Sequence, residues 1–108
     1  MTDLDTLWRL DAHDLAAAFA AGTATPLDAL AVHRERIARL DGALNTYVAH
    51  NRAAEDEARE STRRWRAGLA RSPLEGVPVA VKDSLVAAGL PATWGSRAYA
   101  EGVAEGDE

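Results

Sequence analysis

The chain has no cysteine among its 108 residues. Disulfides, a thiol nucleophile and cysteine-ligated metal are therefore excluded. It also has no apolar run that approaches the roughly 20 residues of a membrane span. Residues 1–5 are acidic, unlike the basic start of a signal peptide. We therefore expect a cytoplasmic protein that does not enter a membrane.

Lysine is nearly absent as well. The chain has eleven arginines and one lysine, Lys82, and its formal net charge of −5 does not favour a nucleic-acid partner. Arginine keeps its proton in proteins, whereas lysine can lose it when it is desolvated. Lys82 is therefore a candidate for a position where arginine would fail, although a single lysine can also remain by chance.

Three helices are predicted from capping and periodicity, over residues of about 12–21, 26–40 and 52–69. The first has Asp11 as its N-cap and Gly22 at its end. The second begins at Thr25 and Pro26, and we expect it to end at Asp41-Gly42. The third carries acidic residues early and arginines late, which suits the helix dipole.

Two strands are predicted, at about 45–49 and 77–82. The second is rich in valine and apolar on both faces, which is typical of a buried strand. It runs directly into Lys82, at the end of the strand where α/β sheets build their sites. A desolvated, neutral Lys82 could act as a general base. The alternative is a lysine that extends to water and pairs with Asp83.

Other residues offer weaker candidates for chemistry. His13, His33 and His50 lie in or beside predicted helices and lack a metal-ligand spacing. The serines form no G-x-S-x-G elbow, and Ser96 in Trp94-Gly95-Ser96 is more typical of a turn or a cap than of a nucleophile. We therefore predict no metal site and keep Lys82 as the candidate.

Two stretches carry a resemblance to a known family. They are 73-PLEGVPVAVKD-83 and 88-AGLPATWGS-96. Together they resemble the pattern P-L-x-G-[IV]-P-[VI]-x-[VL]-K-[DE] followed by A-G-x-P-T-T-x-G-S, which is that of the amidase signature family. The likeness extends more loosely upstream, to about Leu7. One departure is Ala92, where the family usually has threonine.

The resemblance implies an amide hydrolase with a Ser–cis-Ser–Lys triad and no metal or organic cofactor. The lysine of the motif falls on Lys82, which would accept the proton of the nucleophilic serine through the bridging serine. The segment G-G-S-S-G-G-S, which supplies both serines in the family, does not occur in these 108 residues. We therefore expect this chain alone to be inactive.

The predicted fold class is α/β. We expect the N-terminal fragment, over residues 1–108, of a single amidase domain: part of an α/β/α fold with a mixed sheet that is incomplete in this chain. The implied substrate is a small-molecule amide. One alternative is the A-type amidotransferase subunit, which uses glutamine and works on glutamyl- or aspartyl-tRNA. Another is a non-catalytic helical interaction module. A homodimer and a missing C-terminal remainder both stay open.

Overall fold

The structure is a computed structural model, which describes residues 4–100 and 102–107. The contacts within the chain divide it into two compact units. The first, called the helical unit, comprises residues 4–44 and 53–78. The second, called the loop unit, comprises residues 45–52, 79–100 and 102–107. The sequence predicts a fragment of one domain, and each unit is described separately below.

The first α-helix, α1, spans Ala12–Ala21, the residues predicted from the sequence. The Asp11 side chain caps its start, where Oδ1 accepts a hydrogen bond of 2.8 Å from the N–H of Asp14. Gly22 ends it in the left-handed conformation, with φ of 75°. A 3-10 helix over Leu4–Arg9 precedes α1. Local capping signals therefore determine both ends of α1.

The second α-helix, α2, spans Pro26–Leu44. Thr25 and Asp28 cap its start reciprocally: the Thr25 N–H donates to Asp28 Oδ2 at 2.9 Å, and the Asp28 N–H donates to Thr25 Oγ1 at 3.2 Å. The predicted end near Asp41-Gly42 is wrong, because the helix continues to Leu44. A glycine inside a helix costs only about 1 kcal/mol relative to alanine, which is too little by itself to end the helix.

The third α-helix, α3, spans Ala54–Arg66 and is shorter at both ends than predicted. Its first turn is acidic and its last turn is basic, as the sequence shows. Exposed ion pairs such as Arg59 with Glu55, at 3.0 Å, lie along it. Each such pair adds little stability, so α3 depends on its packing against α2.

The core of the helical unit is made of small and medium apolar side chains. It comprises Leu7, Leu15, Ala18, Phe19, Ala24 and Ala29. Trp65 of α3 and Val77 pack against it while staying partly exposed. The rings of Phe19 and Trp65 lie 6.4 Å apart with their planes tilted by 56°, which is a favourable aromatic geometry. The core therefore joins the helices to the segment that follows α3.

Neither predicted strand forms in the part of the chain that the structure describes. Residues 45–49 and 77–82 have no regular secondary structure. Val79 and Val81 are exposed, by 78% and 48%, instead of lying buried in a sheet. A strand needs a neighbouring strand for its hydrogen bonds, and Pro78 lacks an N–H to donate. The structure therefore does not confirm the predicted mixed sheet.

Pairing in the loop unit is limited to one isolated parallel bridge between Ala88 and Ala104 among the described residues. The Gly89 N–H donates to the carbonyl of Ala104 at 2.9 Å, and the Ala104 N–H donates to that of Leu90 at 3.1 Å. A short 3-10 helix follows the Thr93 turn, over Arg97–Tyr99. Turns and side-chain hydrogen bonds thus shape this unit.

We find no helix within residues 4–100 and 102–107 that could span a membrane. None of the helices there combines the length and the apolar character that crossing a bilayer requires.

Candidate active site

The first half of the motif, residues 73–78, lies in the helical unit. Gly76 has a φ of 79°, a backbone conformation that residues other than glycine rarely adopt. A Cβ at this position would lie 2.7 Å from Cβ of Pro26 and 2.9 Å from Cβ of Ser61. The backbone of the motif therefore passes directly against α2 and α3, and only glycine fits there.

Glu75 fixes the same segment through its carboxylate. It is 6% exposed and accepts hydrogen bonds from Ser61 Oγ at 2.9 Å and from Arg71 Nε at 2.9 Å. The hydrogen bonds from Arg71 are the largest cause that lowers the pKa of Glu75, to about 2. Its backbone carbonyl accepts from Trp65 Nε1 at 2.8 Å. The segment is thus bonded to α3 at two points.

Lys82 lies in the loop unit, in a turn and not in a strand. Its side chain is exposed, and Nζ donates a hydrogen bond of 2.8 Å to Oγ of Ser84. Its carbonyl accepts from the N–H of Leu85 at 2.9 Å, which closes the turn. Among the described residues the amine is therefore not desolvated in the way that the general-base interpretation expected; it extends to water, as the alternative predicted.

Asp83 is bonded to a second turn, not paired with Lys82 as one sequence alternative proposed. Its Oδ1 accepts the Thr93 N–H at 2.8 Å. Its Oδ2 accepts the Thr93 hydroxyl and the Gly95 N–H, the latter at 3.3 Å. The hydrogen bonds from Thr93 lower the pKa of Asp83, and the charge of Lys82 adds a smaller effect in the same direction. Asp83 therefore accepts as a carboxylate.

The turn that Asp83 contacts is built from residues 93–96. Trp94 and Gly95 both have positive φ, 54° and 75°. The Ser96 N–H donates to the carbonyl of Thr93 at 2.8 Å. Oγ of Ser96 accepts from the N–H of Ala98 at 3.2 Å and caps the short 3-10 helix. Ser96 thus has the capping role that its turn sequence favoured.

The histidines are divided between the two units. His13 and His33 belong to the helical unit, and His50 to the loop unit. Burial, followed by the charge of Arg36, lowers the pKa of His33. Across residues 4–100 and 102–107, no group of three or more histidine, aspartate or glutamate side chains is placed to hold a metal ion.

Of the residues singled out in the sequence, the structure brings Lys82 to Ser84 and Asp83 to Thr93. The role of Glu75 was missed, because it occupies the variable position of the motif. Arg71 lies four residues before it, which is a weak signal. Ser61 lies fourteen residues before it, and no pattern in the sequence links those two residues.

Known proteins match this chain along nearly its whole length. The Amidase family model matches residues 28–108, a range that includes Lys82 and both motif stretches. The A-type subunit of glutamyl-tRNA(Gln) amidotransferase from Salinispora tropica is 36% identical over 94% of this chain and 20% of its own length. The Rhodococcus erythropolis protein named acylamidase is 31% identical over 99% of this chain and 22% of its own length.

A solved structure is similar as well. The X-ray structure of native peptide amidase from Stenotrophomonas maltophilia superimposes with a TM-score of 0.87 and 32% identity, over 95% of this chain. The chain covers 22% of that structure. It thus spans about a fifth of the length of the relatives that it matches.

Proposed function

The chain belongs to the amidase family, and on that premise we propose that it is part of an enzyme that hydrolyses carboxylic amides to an acid and an amine. One observation carries the proposal: the family match includes Lys82, in the motif where the resemblance places the catalytic lysine. In the reaction, water cleaves the C–N bond of a small-molecule amide. The carbonyl carbon gains a hydroxyl and becomes a carboxylic acid, and the nitrogen gains a proton and leaves as the amine.

Lys82 is the general base and then the general acid of this proposal. Its neutral amine accepts a proton, through a bridging serine, from the serine that attacks the carbonyl carbon. It then returns a proton toward the leaving amine. The bond of 2.8 Å from Nζ to the Ser84 hydroxyl is compatible with this role, since the amine can engage a hydroxyl. The exposed position of Lys82 does not itself supply the desolvation that favours a neutral amine. Ser84 itself is not assigned a catalytic role.

The two triad serines belong to the glycine- and serine-rich segment that these 108 residues do not contain. The chain alone therefore lacks the nucleophile of the proposed reaction. We expect no amide turnover from the isolated 108-residue chain, and turnover from the full-length protein.

The test uses Lys82→Ala and Lys82→Arg in the full-length protein. Both variants should lower kcat by about 10²- to 10⁴-fold, the range for loss of a general base, because arginine keeps the charge but cannot give up its proton. The measurement is release of the acid or amine product. Arg97→Ala is the matched control, since it removes an exposed cation of the same unit and should leave kcat unchanged. If Lys82→Arg retained most activity, the base role would be wrong.

A second candidate is the subunit that uses glutamine in amide transfer to charged transfer RNA. It is favoured by the name and 36% identity of the Salinispora tropica relative. The two candidates differ in their amide donor. Ammonia release from glutamine, with no turnover of simple carboxylic amides, would favour the amidotransferase. The reverse result would favour the amidase.

A further inference from the structure

The carboxylate that follows Lys82 is bonded through both of its oxygens. Asp83 Oδ1 accepts the Thr93 N–H at 2.8 Å, and Oδ2 accepts the Thr93 hydroxyl and the Gly95 N–H. Thr93 is 7% exposed, so the donors of this residue are sheltered from water. Two N–H groups and one hydroxyl of the same turn therefore donate to the carboxylate of Asp83.

Two contacts fix the backbone that follows the Lys82 Cα. The Lys82 carbonyl accepts the Leu85 N–H at 2.9 Å. The Asp83 carboxylate is bonded to the turn formed by Thr93 and Gly95. That turn is itself closed by the bond of 2.8 Å from the Ser96 N–H to the Thr93 carbonyl. These bonds all lie within the loop unit.

We propose that Asp83 and Thr93 together form a positioning device that holds the Lys82 turn against the 93–96 turn and so sets where the lysine amine lies. The inference rests on the proposed function, since it assumes that Lys82 carries the proton. Neither residue touches the reacting atoms in this proposal. Their effect passes through the backbone at Lys82.

The chemistry of the contact explains why these residue types are used. A carboxylate is an acceptor with two oxygens, and its bonds to N–H and O–H donors are about twice as strong as neutral ones. A threonine supplies a backbone and a side-chain donor from one position. Reaction rates fall steeply with misplacement: about 1 Å at a reacting group costs on the order of 100-fold.

The test compares Thr93→Val, Thr93→Ser and Asp83→Asn in the full-length protein, with kcat and KM measured on an amide substrate. Thr93→Val removes the hydroxyl and keeps the shape. We expect it to lower kcat by about 10- to 100-fold while KM stays within about threefold. Thr93→Ser restores the hydroxyl and should recover most of kcat. Asp83→Asn leaves one acceptor oxygen and places an amide NH2, itself a donor, opposite an N–H or O–H donor, so it should lower kcat as much as Thr93→Val does.

Matched controls come from the helical unit. The Thr23 hydroxyl donates to the Ala18 carbonyl at 3.3 Å, and Asp11 caps α1 by accepting a backbone N–H. Thr23→Val and Asp11→Asn remove the same kinds of group far from the Lys82 turn in sequence. Both should leave kcat and KM unchanged. Thermal unfolding of every variant shows whether activity and stability fall together.

The outcomes separate this inference from the proposed function. If Lys82→Ala is inactive while Thr93→Val and Asp83→Asn keep full kcat, the positioning role is wrong and the base role stands. If Lys82→Ala is active, the proposed function fails and the positioning role fails with it. If both loop variants lose activity only in proportion to lost folded protein, or if Thr93→Ser fails to rescue kcat, the contact is merely structural and the inference is overturned.

Discussion

The two units of the chain are shaped by different forces. In the helical unit, Leu7 and Phe19 are 0% and 3% exposed and lie within one apolar cluster. In the loop unit, apolar side chains such as Val79 and Trp94 are largely exposed, while Asp83 is bonded to a turn. Burial of apolar surface therefore stabilises the helical unit, whereas polar contacts between turns shape the loop unit.

The carboxylates of the motif show the same contrast. Glu75 is buried in the helical unit, and its pKa is lowered chiefly by its hydrogen bonds from the Arg71 guanidinium. Asp83 is half-buried in the loop unit, and its pKa is lowered chiefly by bonds from the uncharged Thr93. The motif therefore has a rigidly packed first half and a second half whose shape depends on neutral donors.

The largest expected effect is a loss of stability in the helical unit. Phe19→Ala removes a ring that is 3% exposed and that packs near Trp65. It should lower the free energy of unfolding by about 3–5 kcal/mol, because it leaves a cavity in the core. Urea unfolding of the chain, followed by the helical circular dichroism signal, measures the loss.

Val79→Ala is the counterpart in the loop unit. Val79 is 78% exposed, so its truncation should change the unfolding free energy by less than about 0.5 kcal/mol. If Val79→Ala lowered the free energy of unfolding as much as Phe19→Ala does, the difference between the two units would be wrong. Val79 would then lie in a core, where the structure shows an exposed side chain.

The helices were the part of the fold that the sequence predicted best, because their signals are local. The Asp11 cap and the Gly22 stop lie within a few residues of the turns that they end. The predicted end of α2 is wrong because a single glycine, Gly42, is a weak signal for the end of a helix. Strands were misjudged for the opposite reason. A valine-rich run can only become a strand when a partner segment pairs with it, and the described residues provide none for 77–82.

The sequence selects Lys82 as the candidate residue, and its catalytic role stays a prediction, whereas the local geometry around it was not predictable. The motif pointed to Lys82, but the faces of an assumed strand gave it the wrong surroundings. Its contact with Ser84 follows from a turn that the sequence did not reveal. The bond between Asp83 and Thr93 spans ten residues, and that between Ser61 and Glu75 spans fourteen. Contacts at such separations depend on the path of the chain, which local patterns do not specify.

The second largest expected effect concerns the close approach of Gly76, in the first half of the motif, to α2 and α3. Gly76→Ala forces a Cβ to within 2.7 Å of Cβ of Pro26, at a φ of 79°. Backbone strain and overpacking together should cost about 2–4 kcal/mol. Gly22→Ala is the matched control in the same unit, because Gly22 has a similar φ of 75° but no atom within 4 Å of an added Cβ.

Gly22→Ala should therefore cost only the conformational part, about 1–2 kcal/mol. The difference between the two variants, measured by urea unfolding, isolates the close approach of the motif to Pro26 and Ser61. Equal losses would mean that the chain does not pass against α2 and α3 at this point.

The smallest effect concerns pH and the buried carboxylate of Glu75. Its pKa is lowered to about 2 in the folded chain from an ordinary 4.5. A carboxylate with a lowered pKa stabilises the folded state above its ordinary pKa, and this contribution is lost as the pH falls toward 2. Arg71 is mostly exposed, so water weakens the pair, and the contribution at pH 7 should be about 1–2 kcal/mol.

Glu75→Gln removes the titrating group and keeps the shape, which makes its unfolding free energy the reference. The gap between the wild-type chain and Glu75→Gln should be full at pH 7 and should shrink between about pH 4.5 and pH 2. Glu35→Gln removes an exposed carboxylate that lies 3.7 Å from Arg39, and should leave the unfolding free energy nearly unchanged. A gap for Glu75→Gln that stays constant down to pH 2 would mean that the carboxylate gains nothing from Arg71 and Ser61. The first half of the motif would then be held by packing at Gly76 and by the hydrogen bond from Trp65 Nε1 to the Glu75 carbonyl.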